Sequence, residues 1–96
     1  MEPMTIREIM DAVGGKLLGE FGDINRMVGR VETDSRTIHA GSLFVPLVGE
    51  RFDGHAYINA ALAGGAAGCF TQRERESYLP GKYYIKVDST QRALRE

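Results

Sequence analysis

The stretch of residues 33–55 places the strongest constraint on the fold, because an apolar segment lies there between two polar, turn-forming segments. The apolar segment, residues 43–48, is too short for a stable helix and predicts a buried, central strand. Pro46 cannot donate a hydrogen bond within a sheet, which predicts an edge position or a bulge at that point. Gly49 and Gly54 bound the charged loop that follows, and a helix-forming segment comes next. This order predicts an α/β fold, a small mixed sheet with packed helices, whose loops carry the functional groups.

The rest of the chain continues the alternation of helices and strands. A capping box at Thr5 and Glu8 predicts the start of a first helix, and Gly14 with Gly15 predicts its end. Apolar residues recur at helical spacing between them, at Ile6, Ile9, Met10 and Val13. Further strands are predicted over four segments, residues 16–19, 27–33, 66–71 and 83–87. A charged surface loop over residues 72–81 separates the last two strands.

Two further helices are predicted after the central strand. Asp53 has the position of an N-cap, and Phe52 before it is placed to pack on Tyr57 as a hydrophobic staple. The face of this second helix that we expect to be buried carries Ile58, Ala61, Leu62 and Gly65. Ser89 is placed to cap a third helix over residues 91–96, where the sequence ends, and this ending predicts that the chain is a fragment of something longer.

Size, charge and cysteine content argue against several classes of function. With 96 residues the chain is long enough for one domain, and its net charge of -1 without a basic patch predicts no nucleic-acid partner. The apolar runs are too short to cross a bilayer and the N-terminus lacks a signal-peptide pattern, so no membrane insertion is predicted. Cys69 is the single cysteine, which is typical of a reducing cytoplasm, and its apolar neighbours predict a buried structural thiol.

Three common catalytic or ligand-binding patterns are absent or weak in the sequence. Neither Gly-Lys pair, at 15–16 and 81–82, has the first glycine or the following hydroxyl that a phosphate-binding P-loop needs. The two histidines are isolated and no cysteine pair exists, so no metal site is predicted. Asp34, Ser35 and His55 have the composition of a hydrolytic triad, but Asp34 and Ser35 more readily form a local turn. We therefore predict no catalytic residue.

The loops at both ends of the central strand offer groups for a polar, anionic ligand. Gly49 and Gly54 permit close approach of the backbone, and a helix begins directly afterwards. Two arginines can bind a diphosphate and two hydroxyls can bind a base or ribose, namely Arg36, Arg51, Thr33 and Ser35. The same loops also have a purely structural interpretation, with glycines as turn residues and solvated arginines. Spacing alone favours neither interpretation.

The order of three segments resembles the N-terminal domain of the Mur ligases, which build the peptide stem of the bacterial cell-wall precursor. These segments are Thr-Asp-Ser-Arg at 33–36, Gly-x-Leu-Phe-Val at 41–45 and Gly-Glu-Arg-Phe-Asp-Gly-His at 49–55. The last is most similar to the MurF branch, which adds D-alanyl-D-alanine. The Gly-Gly-Ala-Ala and Val-Asp-Ser-Thr segments at 64–67 and 87–90 also match, so the resemblance covers nearly the whole chain. Ser42 and Pro46 depart from the pattern, where an acidic and a small residue are usual.

The resemblance implies an organisation and a function. Residues 1–88 would be the N-terminal domain that binds the UDP-sugar-peptide, and residues 89–96 would begin a linker toward a missing ATP-binding domain. The intact protein would be an ATP-dependent, amide-forming ligase of peptidoglycan synthesis, and thus of cell shape and division, in the bacterial cytoplasm. It would use ATP and magnesium, whereas this chain alone would bind neither and would be inactive. Expected partners are UDP-N-acetylmuramoyl-peptide and, through the missing domains, D-alanyl-D-alanine, and the expected state is a monomer.

The resemblance also implies a set of binding residues, all for the UDP moiety. The matching positions are Thr33 and Ser35 at the uridine, Glu50, Arg51 and Phe52 in the loop that encloses the nucleotide, and Arg36 and Asp53 in the same motifs. Two alternatives remain open at this point. One is the N-terminal domain of the MurE branch, which adds the third stem residue. The other is a non-enzymatic nucleotide-binding or interaction module, in which Arg51 and Phe52 would be interface anchors.

Overall fold

The alternating pattern folds into a mixed sheet with helices on both faces, as seen in a computed structural model that describes residues 2–95. The strands are β1 (Met4–Thr5), β2 (Lys16–Leu18), β3 (Met27–Val28), β4 (Val31–Glu32), β5 (Leu43–Phe44), β6 (Gly68–Thr71) and β7 (Tyr83–Lys86). The helices are α1 (Ile6–Val13), α2 (Ile58–Ala63) and α3 (Thr90–Arg95), with 3-10 turns at Ser35–Thr37 and Gly54–Tyr57. This architecture confirms the predicted α/β class.

The main sheet has the strand order β2-β7-β6-β5-β4 within the described residues. Strands β4 to β7 are parallel to one another, and β2 is antiparallel to β7 at one edge. Strands β1 and β3 form a separate antiparallel ribbon. The strand predicted over residues 43–48 is central, as expected, because β5 lies between β4 and β6, but it is shorter than predicted and covers only Leu43–Phe44.

Alternating strand residues build two apolar cores, one on each face of the sheet. The core beneath α1 and α3 contains Ile6, Ile9, Val28, Leu43, Val45, Phe70, Tyr83, Ile85, Val87 and Ala93. The core beneath α2 contains Leu18, Phe44, Ile58, Ala61, Leu62, Ala66, Cys69 and Tyr84. Cys69 is fully buried, and burial raises the pKa of its thiol to about 12, which agrees with the predicted structural role. No helix among residues 2–95 is long and apolar enough to cross a membrane.

Helix α1 begins and ends at the residues that the sequence indicated. The Thr5 hydroxyl accepts a hydrogen bond from the Glu8 amide at 3.0 Å, and the Glu8 carboxylate accepts one from the Thr5 amide at 2.9 Å. Gly14 closes the helix in the left-handed conformation, with φ of 65°, where glycine has no steric penalty. Ile6 and Ile9 are buried, whereas Met10 and Val13 are half-buried.

The predicted single strand over residues 27–33 is wrong, because its two halves pair with different partners. Met27 and Val28 pair with β1 in the small ribbon, whereas Val31 and Glu32 pair with β5 in the main sheet. Residues 29 and 30 belong to neither sheet and connect the two. Sequence patterning could not separate the halves, since the partner of a strand is set by residues that are distant in the chain.

The chain leaves β5 before Pro46, so neither a sheet-edge position nor a bulge is needed to accommodate the proline. The last ladder bond beyond β5 is donated by the Val45 amide to the Glu32 carbonyl at 2.8 Å. The Pro46 carbonyl accepts a hydrogen bond from the buried Thr90 hydroxyl at 2.5 Å. The predicted edge or bulge is therefore wrong, and Pro46 marks the end of the strand.

The second and third helices begin near their predicted caps, with one difference in type. Asp53 caps the 3-10 turn Gly54–Tyr57, and the α-helix itself starts only at Ile58. Helix α3 begins at Thr90, and the Ser89 hydroxyl accepts a hydrogen bond from the Arg92 amide at 3.2 Å, as a cap would. The predicted end of this helix at Glu96 lies outside the described residues.

Candidate functional site

The parallel strands bring four connecting segments to one edge of the sheet. Because β4, β5, β6 and β7 run in the same direction, the segments that follow their carboxyl ends all leave at that edge. In open α/β sheets this edge is where ligands usually bind. The residues singled out from the sequence, at 33–36 and 49–55, belong to the first two of these segments.

A cleft of about 460 Å³ lies between these two segments. Its walls are formed by Thr33, Asp34, Ser35, Arg36, Phe44, Phe52, Gly54 and Tyr57. The structure thus brings together Thr33, Ser35, Arg36 and Phe52 from the predicted set. A cleft of this volume is in the range that holds small organic ligands.

Two aliphatic hydroxyls and two exposed aromatic rings of the cleft are available to a ligand. Within residues 2–95, the Thr33 and Ser35 hydroxyls take part in no hydrogen bond, so both remain free to donate or accept. The Phe52 and Tyr57 rings stack at 5.8 Å between centroids and 18° between planes. This contact is the staple that the sequence predicted, and the half-exposed pair forms an apolar wall beside the hydroxyls.

Arg36 is already engaged by a carboxylate of its own turn. Its Nε and Nη2 atoms donate to the two Asp34 oxygens at 3.0 and 2.9 Å, and its amide donates to Asp34 Oδ1 at 2.9 Å. These hydrogen bonds from Arg36 lower the pKa of Asp34 to about 2, so the pair is fully ionised at neutral pH. The Arg36 side chain is nevertheless 86% exposed, and it can exchange this partner for a ligand anion.

Glu50 and Arg51 occupy the exposed tip of a tight turn beyond the cleft wall. The Gly49 amide donates to the Phe52 carbonyl and the Gly54 amide donates to the Leu47 carbonyl, both at 2.7 Å. We call residues 47–54 the hairpin loop. Its two arms are held together by these hydrogen bonds, whereas its charged tip is exposed.

Asp53 points away from the cleft, toward the loop that follows β6. Its carboxylate accepts hydrogen bonds from Arg73 Nη2 at 2.6 Å, from the His55 amide at 2.9 Å and from His55 Nδ1 at 2.7 Å. The hydrogen bond from Arg73, with those from His55, holds the pKa of Asp53 well below its usual range. A second cavity of about 480 Å³ lies on this side, lined by Asp53, His55, Ala56, Arg73, Glu74, Arg75, Glu76 and Ser77. Asp53 therefore fixes the hairpin loop from outside.

The hydrolytic triad suggested by composition is not assembled. The Gln72 amide donates to His55 Nε2 at 2.9 Å, so that nitrogen carries no proton and Nδ1 donates to Asp53. Both ring nitrogens are occupied, and Asp34 is paired with Arg36. His55 is thus not positioned to take a proton from Ser35.

Within residues 2–95 the Gly-Lys pairs do not form a P-loop, and no cluster of metal-ligating side chains is found. Gly15 and Lys16 lead into β2, and Gly81 and Lys82 lead into β7, whereas a P-loop must lead into a helix. No group of three or more histidine, cysteine or carboxylate side chains within residues 2–95 is close enough to hold a metal ion.

Sequence reasoning missed the contributions of Asp34, Phe44 and Tyr57 to the cleft and of Arg73 to the hairpin loop. The contribution of Tyr57 could have been predicted, because the staple pattern placed its ring against Phe52, which was in the predicted set. Arg73 carried no local signal, because it meets Asp53 across a separation of 20 residues.

The fold and the cleft define a class of protein, an α/β domain with a polar, aromatic-walled cleft at the carboxyl edge of the parallel strands of a mixed sheet. A sequence profile described as "Mur ligase family, catalytic domain" matches residues 28–96, and the chain belongs to that family. This match confirms the resemblance found in the sequence.

Similar proteins include members of two branches of the family. The UDP-N-acetylmuramoyl-tripeptide–D-alanyl-D-alanine ligase of Bacillus subtilis is 33% identical over 96% of this chain and 20% of its own length, and that of Escherichia coli is 39% identical over 83% and 17%. The UDP-N-acetylmuramoyl-L-alanyl-D-glutamate–2,6-diaminopimelate ligase of Parabacteroides distasonis is 35% identical over 95% and 18%. The chain spans about a fifth of the length of these curated relatives.

A solved structure agrees with the fold. A crystal structure of MurF from Acinetobacter baumannii superposes with a TM-score of 0.78 at 26% identity, covering 98% of this chain and 20% of that one. The region matched is the N-terminal part of MurF.

Proposed function

We propose that this chain is the domain that anchors the uridine diphosphate of UDP-N-acetylmuramoyl-peptide in a MurF-type ligase of peptidoglycan synthesis. The observation that carries the proposal is the cleft, which combines the Thr33 and Ser35 hydroxyls, an aromatic wall and Arg36 in one place. Family membership and the names of the relatives from Bacillus subtilis and Escherichia coli support the same ligand class.

In this proposal the uridine lies in the cleft and the diphosphate lies toward its mouth. Thr33 and Ser35 bind the uridine, and Phe52 covers it from the side of the hairpin loop. Arg36 and Arg51 neutralise the diphosphate, because charge-assisted hydrogen bonds to phosphate are strong and arginine makes them readily. Glu50 closes the mouth of the cleft, and Asp53 acts through the hairpin loop that it holds.

The rest of the proposal concerns how this chain is divided and what the intact protein does. Residues 1–88 form the anchoring domain, and residues 89–96 begin the connection to an ATP-binding domain. The intact protein is a monomeric, cytoplasmic, ATP- and magnesium-dependent ligase that joins D-alanyl-D-alanine to the stem peptide. This chain alone binds neither ATP nor magnesium and is inactive. Its role in the reaction is positional, since binding energy at the remote nucleotide orients the reacting end of the substrate.

A pair of serine variants tests the proposed ligand site. Ser35→Ala removes a hydroxyl from the cleft, whereas Ser77→Ala removes an exposed hydroxyl from the second cavity. We expect Ser35→Ala to weaken UDP binding about tenfold, as the loss of one hydrogen bond to a polar ligand does, and Ser77→Ala to leave it unchanged. Calorimetric titration gives both affinities. Equal affinities in the two variants, or a matching loss of melting temperature in Ser35→Ala, would contradict the assignment.

A second candidate function is the anchoring domain of a MurE-type ligase. The relative from Parabacteroides distasonis, named for the addition of 2,6-diaminopimelate, is 35% identical over 95% of this chain. Its substrate carries a dipeptide stem, whereas the substrate of the MurF-type relatives carries a tripeptide stem. Comparing the turnover of the two UDP-linked peptides by the intact protein distinguishes the candidates.

A further inference from the structure

The first turn of α3 is bonded directly to the hairpin loop. Gln91 Nε2 donates to the Val48 carbonyl at 2.6 Å, and the Val48 amide donates to Gln91 Oε1 at 3.2 Å. The side-chain amide thus pairs with a backbone unit as a neighbouring strand would, across 43 residues of sequence. We call this pair of hydrogen bonds the Gln91 clamp.

The geometry of the hairpin loop explains why Val48 needs a partner. Val48 lies opposite Asp53 in an antiparallel bridge, and the hydrogen bonds between the two arms are made by the flanking Gly49 and Gly54 amides. In such a non-hydrogen-bonded pair the N–H and C=O groups of Val48 point away from the other arm. Without Gln91 the N–H and C=O groups of Val48 would lose the hydrogen bonds to its side-chain amide. Val48 is half-buried, and unpaired backbone groups are costly in such a position.

Neighbouring hydrogen bonds hold Gln91 in place. The Thr90 hydroxyl is buried, donates to the Pro46 carbonyl at 2.5 Å and lies 3.2 Å from Gln91 Oε1. The Thr90 amide donates to Gln72 Oε1 at 3.0 Å, and the Gln72 amide donates to His55. The segments that follow β5, β6 and β7 are therefore joined through one hydrogen-bonded network at the ligand edge of the sheet.

We propose that Gln91 is a positioning residue for the nucleotide site, holding the hairpin loop so that Phe52 and Arg51 are presented to the cleft. The inference rests on the proposed function, because it assigns Gln91 a part in nucleotide binding without contact with the ligand. By reciprocity, a nucleotide that orders the hairpin loop also stabilises the first turn of α3.

The variant Gln91→Met tests the clamp, because methionine has a similar length and helix propensity but no hydrogen-bonding amide. Arg92→Met is the matched control, since its exposed side chain takes part in no hydrogen bond among the described residues. The first readout is amide hydrogen exchange in the 96-residue chain without ligand. In Gln91→Met we expect the Gly49 and Gly54 amides to exchange about tenfold faster, because the hairpin loop opens locally. The Tyr83 and Val87 amides, which bond within the sheet, should keep their rates.

The second readout is the affinity for UDP. Loss of the clamp should weaken UDP binding about tenfold, since the loop must then be ordered on binding, and Arg92→Met should bind as the original chain does. Gln91→Glu keeps the acceptor for the Val48 amide and loses the donor to its carbonyl, so its exchange rates should be intermediate. If Gln91→Met does not fold, the exchange rates and UDP affinity of Gln91→Glu test the clamp in its place.

Two results would overturn the proposal. One is an unchanged exchange rate of the Gly49 amide in Gln91→Met. The other is an unchanged UDP affinity in a Gln91→Met chain whose Gly49 amide does exchange faster. Failure of the original chain to bind both UDP and UDP-N-acetylmuramoyl-tripeptide is a different result, since it overturns the proposed function, and the exchange rates still decide whether the clamp holds the loop.

Discussion

At the scale of residues, the charged groups near the cleft divide into those paired within the protein and those free for a ligand. Asp34 binds Arg36 within one turn, and Asp53 binds Arg73 and His55 outside the cleft. Within residues 2–95, Arg51 makes no ion pair, and it is exposed at the tip of the hairpin loop. Arg51 is therefore the arginine whose charge is most readily available to a diphosphate.

Asp53 makes a pH-dependent contribution to stability whose sign follows from its partners. Its pKa in the folded chain lies below the ordinary value of 3.8, so its stabilising effect is present above that value and is lost as the pH falls toward the folded-state pKa. We expect Asp53→Ala to lower the free energy of unfolding at pH 7 by about 1 kcal/mol, as the loss of a cap does. The difference from the original chain should shrink in acid.

Urea unfolding at pH 7 and pH 3 measures this difference, and Asp88→Ala provides the control at an exposed carboxylate. If Asp53→Ala were as stable as Asp88→Ala at pH 7, the role of Asp53 in holding the loop would be wrong.

At the scale of elements, the hairpin loop depends on close packing against the end of β5. A Cβ atom at Gly54 would lie 2.8 Å from the Leu47 amide nitrogen and 2.9 Å from the Pro46 Cα. Both are backbone atoms that cannot move aside without shifting the loop. A glycine at this position is thus required by space.

Gly54→Ala should therefore destabilise the chain by about 1–3 kcal/mol, the usual cost of overpacking, and should weaken UDP binding as well. Gly29→Ala is the matched control, because its Cβ would meet nothing within 4 Å. Thermal unfolding and UDP titration of both variants provide the comparison. A Gly54→Ala chain with unchanged stability would show that the loop tolerates a backbone shift, contrary to this account.

Local signals in the sequence predicted elements well where the cause was local. The capping box of α1, the cap at Ser89 and the contact of Phe52 with Tyr57 all involve residues within five positions of each other, and all are present. The strand over residues 27–33 was wrong because strand pairing is decided by distant residues. The orientation of the Asp53 side chain could not be predicted either, because its partner Arg73, which holds it away from the cleft, is 20 residues away in the chain.

At the scale of the whole molecule, the sequence motifs predicted the family, the profile match confirms it, and the structure shows how the motifs meet. Residues 33–36 and 52 converge on one cleft because parallel strands deliver both segments to the same edge of the sheet. The chain matches about a fifth of each relative, so nucleotide anchoring is the part of the proposed reaction that this chain itself can be tested for.

The most direct test of the central claim is an NMR titration of the 96-residue chain with UDP, with AMP as the control nucleotide. The account predicts saturable shifts with UDP only, largest at residues 33–36 and 49–55 and extending through the Gln91 clamp to the first turn of α3. An absence of shifts both with UDP and with UDP-N-acetylmuramoyl-tripeptide, or equal shifts with AMP, would contradict it.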